Sequence, residues 1–303
     1  MNDPDNPRAT SSGAAGSGGG PVRPFEIAGS GGLPVRGDVH VPAGRGPHPV
    51  VVGVHGFKGF RRWGFWPYIA AGLAERGIAC VRYDASHNGV GAGGLDFDEP
   101  HLFERNTWGR EEHDLDAVLR AVRRAALPGL EDVDAARLGL IGHSRGGGLV
   151  VVRTAADPAV RAAVVLAPVA TTLRFAAEVL ERARRAGFAP IVNTRTGEIL
   201  RFGQDALDEL DARTDLHDIA ARHAARISVP LLVAHGTLDA AVAPDEGRRI
   251  AAAARGRFEA FAGADHVLGC RHPWQGPTPD FGRFLDLARA HFAAHLAAPA
   301  ARS

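Results

Sequence analysis

A serine in a glycine-rich turn is the first feature of this sequence that could do chemistry. Ser144 lies in a Gly-His-Ser-Arg-Gly run at residues 142–146, after the apolar residues 138–141 and before a segment compatible with a helix. A tight turn from strand to helix would expose the Ser144 hydroxyl and crowd the positions two residues away on either side, where this chain has glycine. The pattern predicts a nucleophilic serine, which needs a histidine base and a carboxylate from elsewhere.

Two later segments offer that carboxylate and that base. Asp239 follows the predicted strand 230–234, and His266 follows the predicted strand 258–261. The carboxyl ends of parallel strands meet at one edge of a sheet, where ligand sites of such sheets lie. The chain order Ser144, Asp239, His266 therefore predicts a nucleophile, an orienting acid and a base that converge at this edge.

Other candidates for the acid and the base fit less well. Asp265 is adjacent to His266, and neighbouring residues rarely face each other. The loop 168–172, which follows the preceding strand, contains no carboxylate. His272 could compete with His266 as the base, but it lies nearer to the last predicted helix and next to Pro273.

The same chemistry needs backbone N–H groups that stabilise a negative oxygen in the transition state. The sequence predicts the amide of Arg145, at the start of the helix, and the amide of Phe57, in the loop 55–60 after the predicted strand 49–55. Lys58 in this loop is the only lysine among 35 Lys and Arg residues. It could support the loop or contact an acidic substrate group, and a solvated lysine is an equally simple interpretation.

Three histidine and asparagine residues complete the set of possible pocket residues: His87, Asn88 and His143. His87 and Asn88 follow the predicted strand 78–83 at the same sheet edge, where they could line a pocket or brace loops, and bracing is the simpler use. The sequence contains neither a His-Glu-X-X-His motif nor a paired Cys-X-X-Cys motif, and no phosphate-binding glycine-rich loop. No metal and no cofactor are predicted.

These loops can converge only if the strands before them share one sheet. The predicted strands are 25–27, 33–41, 49–55, 78–83, 138–141, 162–167, 230–234 and 258–261, and the predicted helices are 67–76, 111–126, 147–156, 245–254 and a last helix capped by Thr278. This alternation predicts an α/β fold with a mostly parallel central sheet and helices on both faces.

Two segments depart from the alternation. Residues 171–227 contain helical stretches and a hairpin but no long core strand, so they are predicted to form a small cap over the strand ends. Residues 1–20 are polar and rich in Ser and Gly, which predicts a disordered tail before a single domain at 21–303.

Composition narrows the classes of partner. The 35 basic residues balance 34 acidic ones, which does not favour a nucleic-acid partner. No apolar run reaches the roughly 20 residues that span a bilayer, and no secretory signal is recognisable, so no membrane association is expected. The only cysteines are Cys80 and Cys270, and a chain without a disulfide framework is predicted to be cytoplasmic. The sequence makes no prediction of the oligomeric state.

Taken together, these residues resemble the α/β-hydrolase superfamily, serine-hydrolase branch, over about residues 25–297. The chain is also similar to a bacterial group of predicted esterases related to the dienelactone-hydrolase-like and prolyl-peptidase-like branches. The motifs shared with that group are His-Gly-Phe-Lys-Gly-Phe at 55–60, Trp-Gly-Phe at 63–65, Ser-His-Asn-Gly-Val-Gly at 86–91, Glu-X-Asn-Thr at 104–107 and Asn-X-Arg-Thr-Gly at 193–197. True dienelactone hydrolases have cysteine where this chain has Ser144, so their substrate is not expected here.

The resemblance implies the α/β-hydrolase fold and cleavage of a small-molecule carboxylic ester through an acyl-enzyme intermediate. Two other interpretations remain. The same three residues could serve an acyltransferase or a prolyl-peptidase-like peptidase, although no separate propeller domain is recognisable. The fold could also serve a non-catalytic binding protein, since fold alone does not establish activity.

Overall fold

A central sheet of eight strands organises the computed structural model, which describes residues 20–193 and 196–298. The described residues form ten strands in all: β1 Val22–Ala28, β2 Pro34–His40, β3 His48–Val54, β4 Ala79–Asp84, β5 Val133–His143, β6 Val160–Leu166, β7 Phe188–Val192, β8 Ile199–Gly203, β9 Leu231–Gly236 and β10 Arg257–Phe261. The order across the sheet is β1-β2-β4-β3-β5-β6-β9-β10, and β7 pairs with β8 as a separate hairpin. Only the pairs β1–β2 and β2–β4 are antiparallel within the large sheet. The predicted mostly parallel sheet is confirmed.

Helices cover both faces of this sheet. The α-helices in the described ranges are α1 Trp66–Ala74, α2 Pro100–Glu104, α3 Trp108–Arg123, α4 Arg145–Ala156, α5 Ala177–Ala186, α6 Gln204–Ala212, α7 Ile219–Arg222, α8 Pro244–Ala254 and α9 Pro279–His295. The helices whose apolar side chains lie in the two clusters against the sheet include α1, α3, α4, α8 and α9. Alternate side chains of β3 point to opposite faces: Val50 and Val52 join the apolar cluster beneath α3, α4 and α8, and Val51 joins the one beneath α1 and α9. Burial on both faces explains why β3 is continuously apolar.

The segment 171–227, termed here the cap segment, has two parts. Its first part, α5 to α6 with the β7–β8 hairpin, encloses a small apolar cluster of its own that includes Leu180, Phe202 and Leu207. From Leu216 onward, the side chains join the main core instead. The predicted cap segment therefore includes a stretch whose apolar side chains, such as Ile219, belong to the cluster of the main core.

Charged contacts join the cap segment to α3. The carboxylate of Glu209 on α6 accepts hydrogen bonds from the first two backbone amides of α3, at 2.5 and 2.7 Å. A carboxylate at a helix N-terminus satisfies amides that have no partner within the helix and interacts favourably with the helix dipole. Arg213 also pairs with Glu112 of α3, at 2.9 Å. These contacts hold the cap segment beside the carboxyl edge of the sheet.

Parts of two predictions lie outside the described residues. The predicted tail 1–20 does so apart from Gly20, and so do residues 194–195 of the predicted hairpin turn. Over the ranges 20–193 and 196–298, no helix combines the length and apolarity that crossing a bilayer requires.

Candidate active site

Ser144 occupies a strained turn between β5 and α4. Its backbone has φ 56° and ψ −121°, a conformation that costs free energy for a residue with a side chain and that is typical of functional positions. A Cβ atom on Gly142 would lie 2.4 Å from the carbonyl oxygen of Gly146, and one on Gly146 would lie 2.2 Å from that of His55. Neither position could hold a larger residue without moving backbone, which explains the two glycines.

The loop after β3 passes directly beside this serine. A Cβ atom on Gly56 would lie 3.0 Å from the Cβ of Ser144, so the loop approaches as closely as packing allows. Within the described part of the chain, neither the Phe57 nor the Arg145 backbone amide donates a hydrogen bond to a protein acceptor. Arg145 is the first residue of α4, where helix amides lack intrahelical partners. Two N–H groups are therefore available near the serine.

Asp239 and His266 are hydrogen-bonded at the end of β9. The His266 Nδ1 atom lies 2.7 Å from Asp239 Oδ2, and Asp239 Oδ1 accepts from the amides of Ala241 and Val242 at 2.8 and 2.9 Å. Burial of the Asp239 side chain would raise the pKa of this carboxyl, but hydrogen bonds from His235 and His266 outweigh it and hold the pKa well below its usual range. Asp239 is therefore a charged acceptor that orients the ring of His266.

His266 lies between this carboxylate and the serine. Its Nδ1 donates to Asp239, so Nε2 is the ring nitrogen left to accept a proton. The side chain is 21% exposed and lines the same two cavities as Ser144. Ser144 Oγ and the His266 ring are not hydrogen-bonded to one another in this structure. The structure thus joins the predicted acid to the predicted base and places the serine in the same space.

The alternatives for these roles are engaged elsewhere. Asp265 Oδ1 accepts from the amides of Val267 and Gly269, at 3.0 and 2.7 Å, and so shapes its own loop. His272 Nδ1 accepts from the amide of Gly64 at 3.1 Å. Neither is arranged as Asp239 and His266 are.

His143 braces the backbone beneath His266. Its Nε2 lies 3.0 Å from the carbonyl oxygen of His266, to which it donates, and the two ring centroids are 4.6 Å apart. Burial, and secondarily the neighbouring His266, lowers the pKa of His143 to about 3. His143 is therefore neutral at ordinary pH and lines the smaller cavity.

Of the other predicted pocket residues, only Lys58 reaches the site. It lines both cavities, and its Nζ donates to the carbonyl oxygen of Val192 at 3.1 Å. His87 hydrogen-bonds to Ser86 Oγ at 2.8 Å, and Asn88 Oδ1 accepts from the amide of Val90 at 3.0 Å. Neither lines these cavities: His87 turns into its own loop, and Asn88 also donates to the carbonyl oxygen of Gly59 at 3.4 Å. Of the two uses predicted for them, lining a pocket or bracing loops, these contacts agree with the favoured one, loop bracing.

Two cavities meet at Ser144 and His266. The larger, of about 560 Å³, lies under the cap segment and is mostly apolar. Its apolar lining includes Phe57, Trp108, Val169, Phe175, Ile191, Phe202, Leu210 and Leu216. The smaller, of about 440 Å³, includes Trp63 and Trp66. A bond that reacts at Ser144 would thus have room for a group on each side.

Sequence reasoning missed two residues of the site. His235 is fully buried, and its Nε2 lies 3.1 Å from Asp239 Oδ2; its place four residues before Asp239, at the end of a strand, was the available signal. The side chain of Arg145 pairs with Glu111 at 2.8 Å and lies over the ring of Trp108. Nothing in the local sequence indicates that contact. Within the described ranges no three His, Cys, Asp or Glu side chains are grouped as metal ligands.

Comparisons with known proteins agree with this architecture. A family model described as the alpha/beta hydrolase family matches residues 51–280. No curated protein sequence matches the chain. Three similar solved structures illustrate the range of neighbours. The esterase domain of a Rhodothermus marinus protein is 18% identical, with TM-score 0.62 and coverage of 91% of this chain and 100% of that chain.

Est1E from Butyrivibrio proteoclasticus, with bound ferulic acid, is 18% identical, with TM-score 0.65 and coverage of 90% of this chain and 99% of that chain. A puromycin-hydrolyzing peptidase from Mycobacterium tuberculosis is 20% identical, with TM-score 0.62 and coverage of 91% of this chain but only 39% of that chain. At such identities the likeness concerns the fold alone.

Proposed function

Because this chain belongs to the alpha/beta hydrolase family, we propose that it is a serine hydrolase whose substrates are small carboxylic esters. The observation that carries the proposal is the 2.7 Å hydrogen bond between Asp239 and His266, beside a cavity that His266 shares with Ser144. A charged acceptor on Nδ1 gives His266 the tautomer that a general base needs, with Nε2 free to take a proton. The strained turn at Ser144 presents the hydroxyl to the same cavity.

In the proposed mechanism Ser144 Oγ attacks the carbonyl carbon of the ester while His266 Nε2 takes the hydroxyl proton. The carbonyl oxygen becomes negative and is stabilised by the Phe57 and Arg145 amides. The intermediate collapses, the C–O bond to the alcohol breaks, and His266 returns the proton to the departing alcohol. Water, deprotonated by His266, then releases the acid from Ser144. Ser144 Oγ and His266 Nε2 must come within hydrogen-bond distance in the substrate complex, where such contacts commonly tighten.

The shape of the site supports a small-molecule ester rather than an extended peptide. A cavity of about 560 Å³ is within the range of small-ligand sites, and the cap segment forms one of its walls. An acyltransferase would use the same residues and differ only in the acceptor that attacks the acyl-enzyme. Adding alcohol acceptors to the assay separates transfer from hydrolysis, and aminoacyl amides tested beside the esters separate a peptidase.

The test is a panel of nitrophenyl esters of increasing acyl length, assayed with wild type, Ser144→Ala and Ser228→Ala. Ser228 is exposed and lines neither cavity, so its variant is the matched control. We expect turnover and fluorophosphonate labelling in wild type and in Ser228→Ala, and loss of both in Ser144→Ala. Unchanged turnover in Ser144→Ala would refute the mechanism. A folded wild type that neither hydrolyses esters nor reacts with the probe would favour a binding protein.

A further inference from the structure

Lys58 holds an unusual position in the site. It follows Phe57 directly, lines both cavities, and is the only lysine of a chain that uses arginine at every other position of that charge. Its backbone φ is 58°, in the left-handed region where glycine is favoured and where a side chain costs about 1 kcal/mol. A glycine would relieve that cost, so the lysine side chain occupies this position at the expense of some backbone strain.

The other cationic side chains that line the larger cavity each pair with a carboxylate that does not line it. Arg145 pairs with Glu111 at 2.8 Å, Arg174 with Glu246 at 2.6 Å, and Arg213 with Glu112 and Asp215, both at 2.9 Å. Lys58 differs: among residues 20–193 and 196–298, no carboxylate lies within ion-pair distance of its Nζ. The single carboxylate of the cavity lining, Glu209, already accepts from two amides of α3.

An ammonium that is partly removed from water is a favourable partner for an anion. Partial burial lowers the pKa of Lys58 with no charged neighbour to offset it. The side chain has three N–H donors, and the structure satisfies one of them through the carbonyl oxygen of Val192. Two donors and the positive charge remain for a molecule bound in the cavities.

We propose that Lys58 binds a carboxylate carried by the substrate, so that the preferred esters bear a second, anionic group. This inference rests on the proposed ester hydrolase and names its substrate class. Because Lys58 lines both cavities, the carboxylate can lie on the acyl side or on the alcohol side of the ester. A compact ammonium suits this place between two cavities better than the broad, planar guanidinium of arginine.

Paired esters test the inference on each side. For the acyl side, the nitrophenyl monoester of adipic acid is compared with nitrophenyl hexanoate. For the alcohol side, the acetyl ester of 3-hydroxypropanoic acid is compared with propyl acetate, which has a methyl group in place of the carboxylate. The measured quantity is the ratio of kcat/KM for the anionic ester to that for the neutral one. We expect wild type to prefer the anionic member of at least one pair by about tenfold or more, as for a charge-assisted hydrogen bond.

Two variants test whether this preference for the anionic ester depends on Lys58. Lys58→Met is expected to lower the ratio by about tenfold, and its melting curve shows whether the fold is intact. Arg62→Met removes the same charge from an exposed residue of the same loop that lines neither cavity, and it should keep the wild-type ratio.

The outcomes are distinct. An unchanged ratio in folded Lys58→Met, or wild-type turnover without any preference, would overturn the inference and leave the ester hydrolase standing. Failure of wild type to hydrolyse any of the four esters would overturn both.

Discussion

Replacing His235 tests whether the hydrogen bond from this histidine, beside the one from His266, positions the carboxylate of Asp239. The Nε2 atom of His235 lies 3.1 Å from Asp239 Oδ2 and 3.1 Å from the carbonyl oxygen of Val242. Both partners are acceptors, so Nε2 carries the proton. Within the described residues Nδ1 is buried without a partner, and a Cβ atom on Gly247 would lie 2.5 Å from it. His235→Leu removes the donor, whereas His235→Gln can offer an amide N–H in its place.

The expected magnitude follows from the donors that remain. Asp239 would keep His266 on Oδ2 and two amides on Oδ1, so it loses one of four hydrogen bonds. Losing a hydrogen bond to a buried charged group costs about 1–3 kcal/mol in the free energy of unfolding. We expect kcat to fall about 10- to 100-fold, the size of effect typical when the partner behind a site residue is removed, and less than the roughly 10⁴-fold caused by losing the orienting carboxylate itself.

Urea denaturation and ester hydrolysis, both at neutral pH, measure these two quantities. His235→Gln should recover most of kcat as well as most of the stability. A purely packing role would make the two variants alike in kcat, because neither reproduces the shape of the imidazole ring. Equal kcat in wild type and a stably folded His235→Leu would refute the idea that His235 positions Asp239.

Three further outcomes concern the turn at Ser144, the histidine beside it and the cap segment. Gly146→Ala should lower the free energy of unfolding by about 3 kcal/mol or more and abolish turnover, since backbone lies 2.2 Å from the added Cβ. The control Gly282→Ala, where the added Cβ enters open space in α9, should raise the free energy of unfolding by about 0.5–1 kcal/mol. Equal urea midpoints for the two variants would contradict both expectations. Burial lowers the pKa of His143 to about 3, so below about pH 6.5 the unfolded chain binds a proton that the folded protein does not. The free energy of unfolding should therefore decrease as the pH is lowered from about 6.5, by up to about 1.4 kcal/mol per pH unit. This slope, measured by urea titration, should be smaller in His143→Gln, and an equal slope would contradict the assignment. Glu209→Gln weakens the hold of α6 on two amides of α3 and should speed hydrogen exchange in α6, whereas unchanged exchange would show that the cap segment is held by other contacts.

Local patterns predicted most of the framework. The strand–turn–helix around Ser144 was recognisable because part of its constraint is local: a Cβ atom on Gly142 would lie 2.4 Å from the carbonyl oxygen of Gly146, four residues later. The continuous apolar run of β3 indicated burial on both faces, and Val51 and Val52 indeed face different clusters. Thr278 predicted the start of α9, and its side chain accepts from the amide of Phe281.

Other features were not available to local reasoning. The five-residue helix α2 is too short to show a period. Bracing was the favoured use of His87 and Asn88, but their partners, Ser86 Oγ, the amide of Val90 and the carbonyl oxygen of Gly59, could not be read from residue type. Leu216 and Ile219, within the predicted cap segment, join the cluster of the main core, and that choice depends on the position of elements distant in sequence.

The sequence by itself determined the order and type of most of the elements, the fold class, and the loops in which Ser144, Asp239 and His266 lie. Those properties follow from period, turn residues and chain order, which are local. Only the tertiary structure decided which side chains meet: His235 behind Asp239, Arg145 on Glu111, and Lys58 on a carbonyl 134 residues away. Such contacts depend on how strands distant in sequence are brought side by side, and no short stretch of sequence contains that information.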